Sequence, residues 1–308
     1  MSRIHDALKK AQEERAAQQN TQGTNALDSA ERGLSASAAP AALLENPDLN
    51  VVAPAEQSYG PLTFESLLAK CRQRAWTPDS SALLFSNGNS DMSGMESFRT
   101  LRARLYQLRA VQTLKTVLVT SPLPSEGKTF VTSNLAQSII RQHERRALLI
   151  DADLRLPNLH TPLGAPSGPG LSDYLLGEVD EFAILQRGSD ENLFLIPGGK
   201  PVQNPSELLS NGRLEKLVER LAPAFDWILM DSPPAIPVAD ASVIAKVCDG
   251  VLMVVRGGST PYDLAQKACA EFQDKPLVGV VLNRAESTAG YGSYYYQGYG
   301  AEARNGKH

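Results

Sequence analysis

From residue 116 onward the chain repeats one pattern: a short, uninterrupted apolar run followed by a stretch with helical spacing. The runs are Thr116–Thr120, Ala147–Ile150, Leu193–Ile196, Trp227–Met230, Gly250–Val255 and Leu277–Leu282. Helical patterning lies between several of them, over Val131–Arg141, Ser206–Leu221, Ala239–Val247 and Tyr262–Phe272, and precedes the first over Glu96–Val111. Strands that are apolar on both faces need cover on both faces. The pattern therefore predicts an α/β fold with a mostly parallel sheet and helices on each side. Ligands of such sheets sit at the carboxyl ends of the strands, so the strand ends are where chemistry is to be sought.

Three strand ends carry it. The first run leads into Ser121-Pro-Leu-Pro-Ser-Glu-Gly-Lys-Thr129 and then into a helix. Strand, loop and helix in that order are the setting of a phosphate-binding loop, in which backbone N–H groups and a helix N-terminus attract phosphate oxygens. Ser125, Glu126, Gly127, Lys128, Thr129 and Phe130 are the candidate nucleotide-binding residues. Lys128 offers charge to the β- and γ-phosphates, and the Thr129 hydroxyl is a ligand for Mg²⁺. Pro122 stands where the general pattern has its first glycine. The motif makes the fold a P-loop NTPase-type three-layer sandwich and implies ATP and Mg²⁺.

The second strand end reads Leu148-Leu-Ile-Asp-Ala-Asp-Leu-Arg155, the third Ile228-Leu-Met-Asp-Ser-Pro-Pro234. Magnesium takes oxygen ligands and keeps several waters, so Thr129, Asp151 and Asp231 are its candidate ligands. Phosphoryl transfer also needs a group to orient or deprotonate the nucleophile. Asp151 and Asp153 are the candidates, with Lys128, for catalysis.

The 30 Lys and Arg against 34 Asp and Glu leave a net charge near −4, which provides no sequence-wide attraction for nucleic acid. Cys71, Cys248 and Cys269 have neither metal-ligand spacing nor a disulfide framework, as in a reducing cytoplasm. No apolar run approaches the ~20 residues that span a bilayer, and the start lacks a secretory core. The expectation is a cytoplasmic chain that reaches the inner face of the plasma membrane through a partner.

Outside the repeating pattern the texture changes. Residues 1–60 read as a short helix, with Ser2 as N-cap and Ile4, Leu8 and Ala11 on one face, plus a flexible linker. Residues 61–90 hold short apolar stretches, Leu62–Leu68 and Leu83–Phe85, that could dock on the main domain of residues 91–286. Residues 287–308 lack Val, Ile and Leu but carry Tyr291, Tyr294, Tyr295, Tyr296 and Tyr299 among glycines, a mobile tail.

Together these motifs resemble the bacterial tyrosine kinases (BY-kinases) of exopolysaccharide and capsule biosynthesis. Ser121–Thr129 is similar to that family's Walker A loop, where the missing first glycine is usual. Leu149–Arg155 is similar to its Walker A′ motif and Asp231-Ser-Pro-Pro234 to its Walker B motif. Glu96, Arg99 and Arg102 fit an E-x-x-R-x-x-R motif on roughly one helix face, which in the family mediates ring oligomers, and the tyrosine cluster fits its autophosphorylated tail.

The resemblance implies a tyrosine autokinase in which Asp151 and Asp153 face the incoming phenol. Its partners would be a second copy in a ring, a transmembrane chain-length (co-polymerase) protein and a phosphatase. In related P-loop proteins the residue equivalent to Asn283 often contacts the base, and Arg155 and Asp240 would support the acidic loops. Two rivals stay open. One is a partitioning-type ATPase, although no lysine lies between Thr116 and Gly127 where such proteins carry one. The other is a nucleotide-gated scaffold of the export complex.

Overall fold

The computed structural model describes residues 60–86 and 90–285, all within one compact unit, Ser58–His308. The expected N-terminal helix and linker, and the tyrosines at 291–299, lie outside the described residues. Eight strands form one sheet: β1 (Arg72–Gln73), β2 (Thr116–Thr120), β3 (Ala147–Asp151), β4 (Gln186–Arg187), β5 (Leu193–Ile196), β6 (Trp227–Asp231), β7 (Gly250–Arg256) and β8 (Leu277–Asn283). Their order is β1-β4-β5-β3-β6-β2-β7-β8, and every pair is parallel except β4 with β5.

The helices in chain order are α1 (Phe64–Lys70), α2 (Met92–Arg109), α3 (Lys128–Ile140), α4 (His160–Leu163) and α5 (Leu171–Leu175). They continue with α6 (Glu181–Ile184), α7 (Pro205–Leu209), α8 (Arg213–Leu221), α9 (Asp240–Ala245) and α10 (Tyr262–Ala270).

Alternate side chains of each central strand enter two separate cores. Leu118, Leu148, Ile150, Ile228 and Met230 join one, closed over by residues of α1 and α5 to α10. Val117, Val119, Leu149, Trp227 and Leu229 join the other, closed over by α2, α3 and α4. This is the two-residue period of a strand read on both faces. It accounts for the continuous apolar runs and confirms the three-layer arrangement.

Two local expectations change. The single helix expected over Ser206–Leu221 is two, α7 and α8, separated at Ser210-Asn211-Gly212. Gly212 has φ +81°, a left-handed conformation that only glycine adopts without strain. The expected helical face of Glu96, Arg99 and Arg102 also divides. Glu96 and Arg99 pair at 3.0 Å on the exposed side, whereas Arg102 turns inward and donates to the carbonyl of Ser138 on α3. The cause is helical geometry: six residues advance roughly 240° beyond a full turn, so the first and third members of the motif diverge.

Residues 60–86 run around one sheet edge and contribute to both cores. Phe64 sets its ring edge-on to Phe194 and Phe225, at 5.9 and 6.5 Å between centroids. After β1 the chain delivers Leu83, Leu84 and Phe85 to the opposite core. Asn134 of α3, fully buried, holds that arrival: its Oδ1 accepts the Leu84 N–H at 2.7 Å and its Nδ2 donates to the Ala82 carbonyl at 2.9 Å. Replacing Asn134 by Ala strands buried backbone groups, so a loss of about 2 kcal/mol and a fall in Tm of about 5 °C are expected. A thermal melt unchanged within error would refute that role.

Candidate functional site

The phosphate loop connects β2 to α3, and its shape depends on two left-handed residues. Ser125 has φ +62° and Gly127 φ +98°. A Cβ on Gly127 would lie 2.0 Å from Asn283 Nδ2, so both conformation and space require glycine there. No side chain caps the start of α3, which leaves its first N–H groups for an anion. Lys128 opens that helix and is 9% exposed.

The side chain of Glu126 is spent on holding the loop. It is 2% exposed; one oxygen accepts the Leu123 N–H at 3.3 Å and the other accepts the Thr260 hydroxyl. Its carbonyl accepts the Asn283 side-chain amide at 2.8 Å. Asn283 therefore fastens the end of β8 to the loop. It also lines, with Gly127, Phe130, Ser97, Leu101 and Leu282, an open cleft of about 640 Å³ beside it. The Phe130 ring stands edge-on to Phe98, 5.9 Å between centroids, and so packs α3 on α2.

Register brings the acids together. β3 and β6 pair so that Asp151 lies opposite Asp231, and β6 pairs with β2, which feeds the loop. Asp231 accepts the Thr129 hydroxyl at 2.6 Å. Asp151 is fully buried, and its two oxygens accept the N–H groups of Leu159 at 2.9 Å and Asp153 at 3.3 Å. Asp153 is only half-buried, with one oxygen accepting the Leu156 N–H at 3.1 Å.

Burial, and then the neighbouring Asp231, push the Asp151 carboxyl well above the usual carboxylate range. Burial lifts Asp231 to about 6, against the opposing pull of the Thr129 hydroxyl and Lys128. Asp153 is raised as well, again by burial first. Such crowding of carboxylates beside a hydroxyl is a hard-oxygen set that a divalent cation relieves. Among the described residues no three His, Cys, Asp or Glu converge to cage a metal unaided. Magnesium, which keeps its waters, needs no such cage, and Thr129, Asp231 and Asp151 fit it.

A further group went largely unread in the sequence. Arg155 grips Asp240 at the start of α9 with two bonds, Nε to Oδ2 at 2.7 Å and Nη2 to Oδ1 at 3.0 Å. The Ser206 hydroxyl of α7 donates to the same carboxylate. Burial pushes Asp240 up, but Arg155 and Ser206 outweigh it and the net shift is downward. The loop bearing Asp153 is thereby tied to two helices. The Asp-x-Asp-x-Arg spacing was a visible signal for Arg155; nothing local pointed to Ser206 or Thr260.

A loop for phosphate, a hydroxyl-carboxylate pair for a cation and a half-exposed acid beside them define a P-loop phosphotransferase or NTPase. No family model matches the chain. It is 32% identical over 206 residues to the tyrosine-protein kinase YwqD of Bacillus subtilis, spanning 66% of this chain and 86% of that one. It is 33% identical over 220 residues to the tyrosine-protein kinase wzc of Salmonella typhimurium, spanning 70% of this chain but 30% of that longer protein. The kinase domain of Escherichia coli tyrosine kinase ETK superposes with a TM-score of 0.62 at 30% identity, over 76% of this chain and 92% of the domain. The chain belongs to the family of bacterial tyrosine-protein kinases, as its motifs led us to expect, and is an enzyme of that class. Among the described residues no helix is long and apolar enough to cross a membrane.

The raised Asp231 has a consequence for stability. Between its ordinary value of 3.8 and about 6, the folded state keeps a proton that the unfolded state has released. Stability therefore falls as pH rises through that window, and the cost of the ionised carboxylate is fully present above it. Without metal or nucleotide, Asp231→Asn should melt higher than the wild type at pH 8, with the gap narrowing below about pH 6 and closing towards the ordinary value of 3.8. Melting curves in a chelating buffer check this, and a wild type as stable as the variant at pH 8 would contradict it.

Proposed function

We propose that this chain transfers the γ-phosphoryl group of ATP to tyrosines of its own C-terminal cluster, Tyr291, Tyr294, Tyr295, Tyr296 and Tyr299. The observation that carries the reading is the convergence, on β2, β3 and β6, of Lys128 and Thr129 with Asp151, Asp153 and Asp231. Lys128 and the N–H groups at the start of α3 bind the phosphates. Thr129, Asp231 and Asp151 hold Mg²⁺, which when bound neutralises phosphate charge. The cleft lined by Asn283 and Phe130 takes the nucleoside, through its walls and the Asn283 side chain.

Asp153 is the proton acceptor. The phenol oxygen bonds to the γ-phosphorus, the bond from phosphorus to the bridging oxygen breaks, ADP leaves and the phenolic proton passes to a carboxylate. A phenol of pKa near ~10 is scarcely ionised at neutral pH, so an adjacent base helps. Asp151 is sealed from solvent, whereas Asp153 is half-exposed, so a phenol can reach it, and burial raises its basicity. Asp151 then acts by holding the cation and the Asp153 loop. Most of the acceleration comes from positioning and charge, and the Arg155–Asp240 pair supplies part of the positioning.

The tail of one copy enters the site of the next in a ring, with Glu96 and Arg99 on the outer face of α2 and Arg102 bracing that helix on α3. Each phosphate adds about −1.5 to −2 charge, and several on one tail repel one another and the acidic strand ends, which loosens the ring. A transmembrane co-polymerase partner brings the kinase to the inner membrane face, a phosphatase resets the tail, and the cycle governs export of an exopolysaccharide or capsule. The net charge near −4 supports no role on nucleic acid.

With ATP and Mg²⁺, phosphotyrosine detection should read a signal that Lys128→Ala abolishes. ATP turnover without phosphotyrosine would instead favour a partitioning-type ATPase or a scaffold. Asp153→Asn should lower kcat by about 10² to 10⁴ while nucleotide affinity holds; an unchanged kcat removes Asp153 from the chemistry. Changing all five tail tyrosines to Phe should keep the protein assembled in the presence of ATP, where the wild type dissociates. Light scattering that finds the two alike would end the assembly cycle as an explanation.

A further inference from the structure

Three of the chain's nine tyrosines fall among the described residues, in unlike surroundings. Tyr174 is 8% exposed in a core. Tyr106 sets its ring edge-on to Trp227, 5.4 Å between centroids, and its hydroxyl is buried. Tyr262 is 80% exposed. It is the first residue of α10 and follows Gly257-Gly258-Ser259-Thr260-Pro261. Gly258 has φ +67° and open space where a Cβ would stand.

A tyrosine acceptor must present its hydroxyl to a catalytic cleft without dismantling the fold around it. Pulling a ring such as that of Tyr174 out of a core costs about 1.5–3 kcal/mol before any reaction; Tyr262 carries no such cost. Its upstream segment Gly257-Gly258-Ser259 also shares Gly and Ser with the tail stretch Gly290-Tyr291-Gly292-Ser293-Tyr294.

The position matters for a second reason. Two residues before Tyr262, the Thr260 hydroxyl donates to Glu126, the buried carboxylate that holds the phosphate loop. That bond also anchors the Tyr262 segment to its own loop, so the acceptor is delivered as a surface residue to another molecule.

We propose that Tyr262 is a further phosphorylation site, modified by the active site of a second copy of this chain, and that its phosphate weakens nucleotide binding through the Thr260–Glu126 contact. The inference rests on the autokinase reading above. The chemistry is the same transfer: the Tyr262 oxygen gains the γ-phosphoryl group, ADP leaves and the phenolic proton goes to the neighbouring copy's carboxylate. A phosphate at the N-terminus of α10, a nine-residue helix, is compatible with the helix dipole. It also places about −1.5 to −2 charge near a loop whose task is to attract phosphate.

The test uses the full chain with all five tail tyrosines changed to Phe, isolated from the cells that make it and incubated with ATP and Mg²⁺, its peptides mapped by mass spectrometry. Phosphate on Tyr262 that disappears in the additional Tyr262→Phe variant supports the site. Its appearance on a Lys128→Ala chain mixed with wild type supports transfer between copies, and failure to appear there overturns that part. The phosphorylated form should show a KM for ATP raised about fivefold over Tyr262→Phe; equal values overturn the regulatory role. A wild type phosphorylated on its tail with Tyr262 unmodified in every sample refutes this inference alone, whereas no phosphotyrosine anywhere overturns the autokinase reading with it.

Discussion

Everything in this site follows from one unfavourable arrangement, the placement of Asp151 and Asp231 side by side at the ends of two paired, buried strands. Neither carboxylate reaches bulk water, and each raises the cost of ionising its neighbour. A fold that existed for stability alone would gain by replacing either. Their presence makes chemical sense if a cation arrives with the substrate, because the repulsion that destabilises the free protein then becomes affinity for the metal. The Thr129 hydroxyl, already bound to Asp231, belongs to the same set and couples it to the first turn of α3.

The surrounding structure restrains what those charges would otherwise push apart. Ser232 Oγ donates to the Val119 carbonyl and the Thr120 hydroxyl to that of Pro233, both buried, so the β6 loop is locked to the end of β2. Arg155 offsets a second potential repulsion, between Asp153 and Asp240, by pairing from a partly exposed position with the buried Asp240 carboxylate. Glu126 and Asn283 fix the phosphate loop from the other side. The acids are held by strands and by ties between elements rather than by loop conformation alone, and a transfer reaction that depends on positioning needs that rigidity.

The kinase family and the apolar strands were legible because their signals are local. An apolar run, a Gly-Lys-Thr after a strand and an Asp-x-Asp at a strand end each declare themselves within ten residues. Residues 61–90 were readable only as apolar fragments, because their partner Asn134 lies about fifty positions away. The helix break at Gly212 was missed although a local signal existed: Leu208 and Leu209 fall on the helical face opposite that of Leu214, Leu217, Val218 and Leu221, so the apolar phase changes across the glycine. The inward turn of Arg102 was missed because a motif written in one dimension suggests a shared face where helical geometry separates its ends.

The sequence by itself determined the three-layer class, the phosphate loop and the identity of the three acids, since apolar period and side-chain chemistry are properties of the chain. Only the tertiary structure decided how those acids differ. Strand register put Asp151 against Asp231 and sealed both, and the turn after β3 left Asp153 half-exposed. The reason is physical: an ionisation equilibrium depends on solvent access and on charges a few ångströms away, and neither distance exists until distant strands are paired.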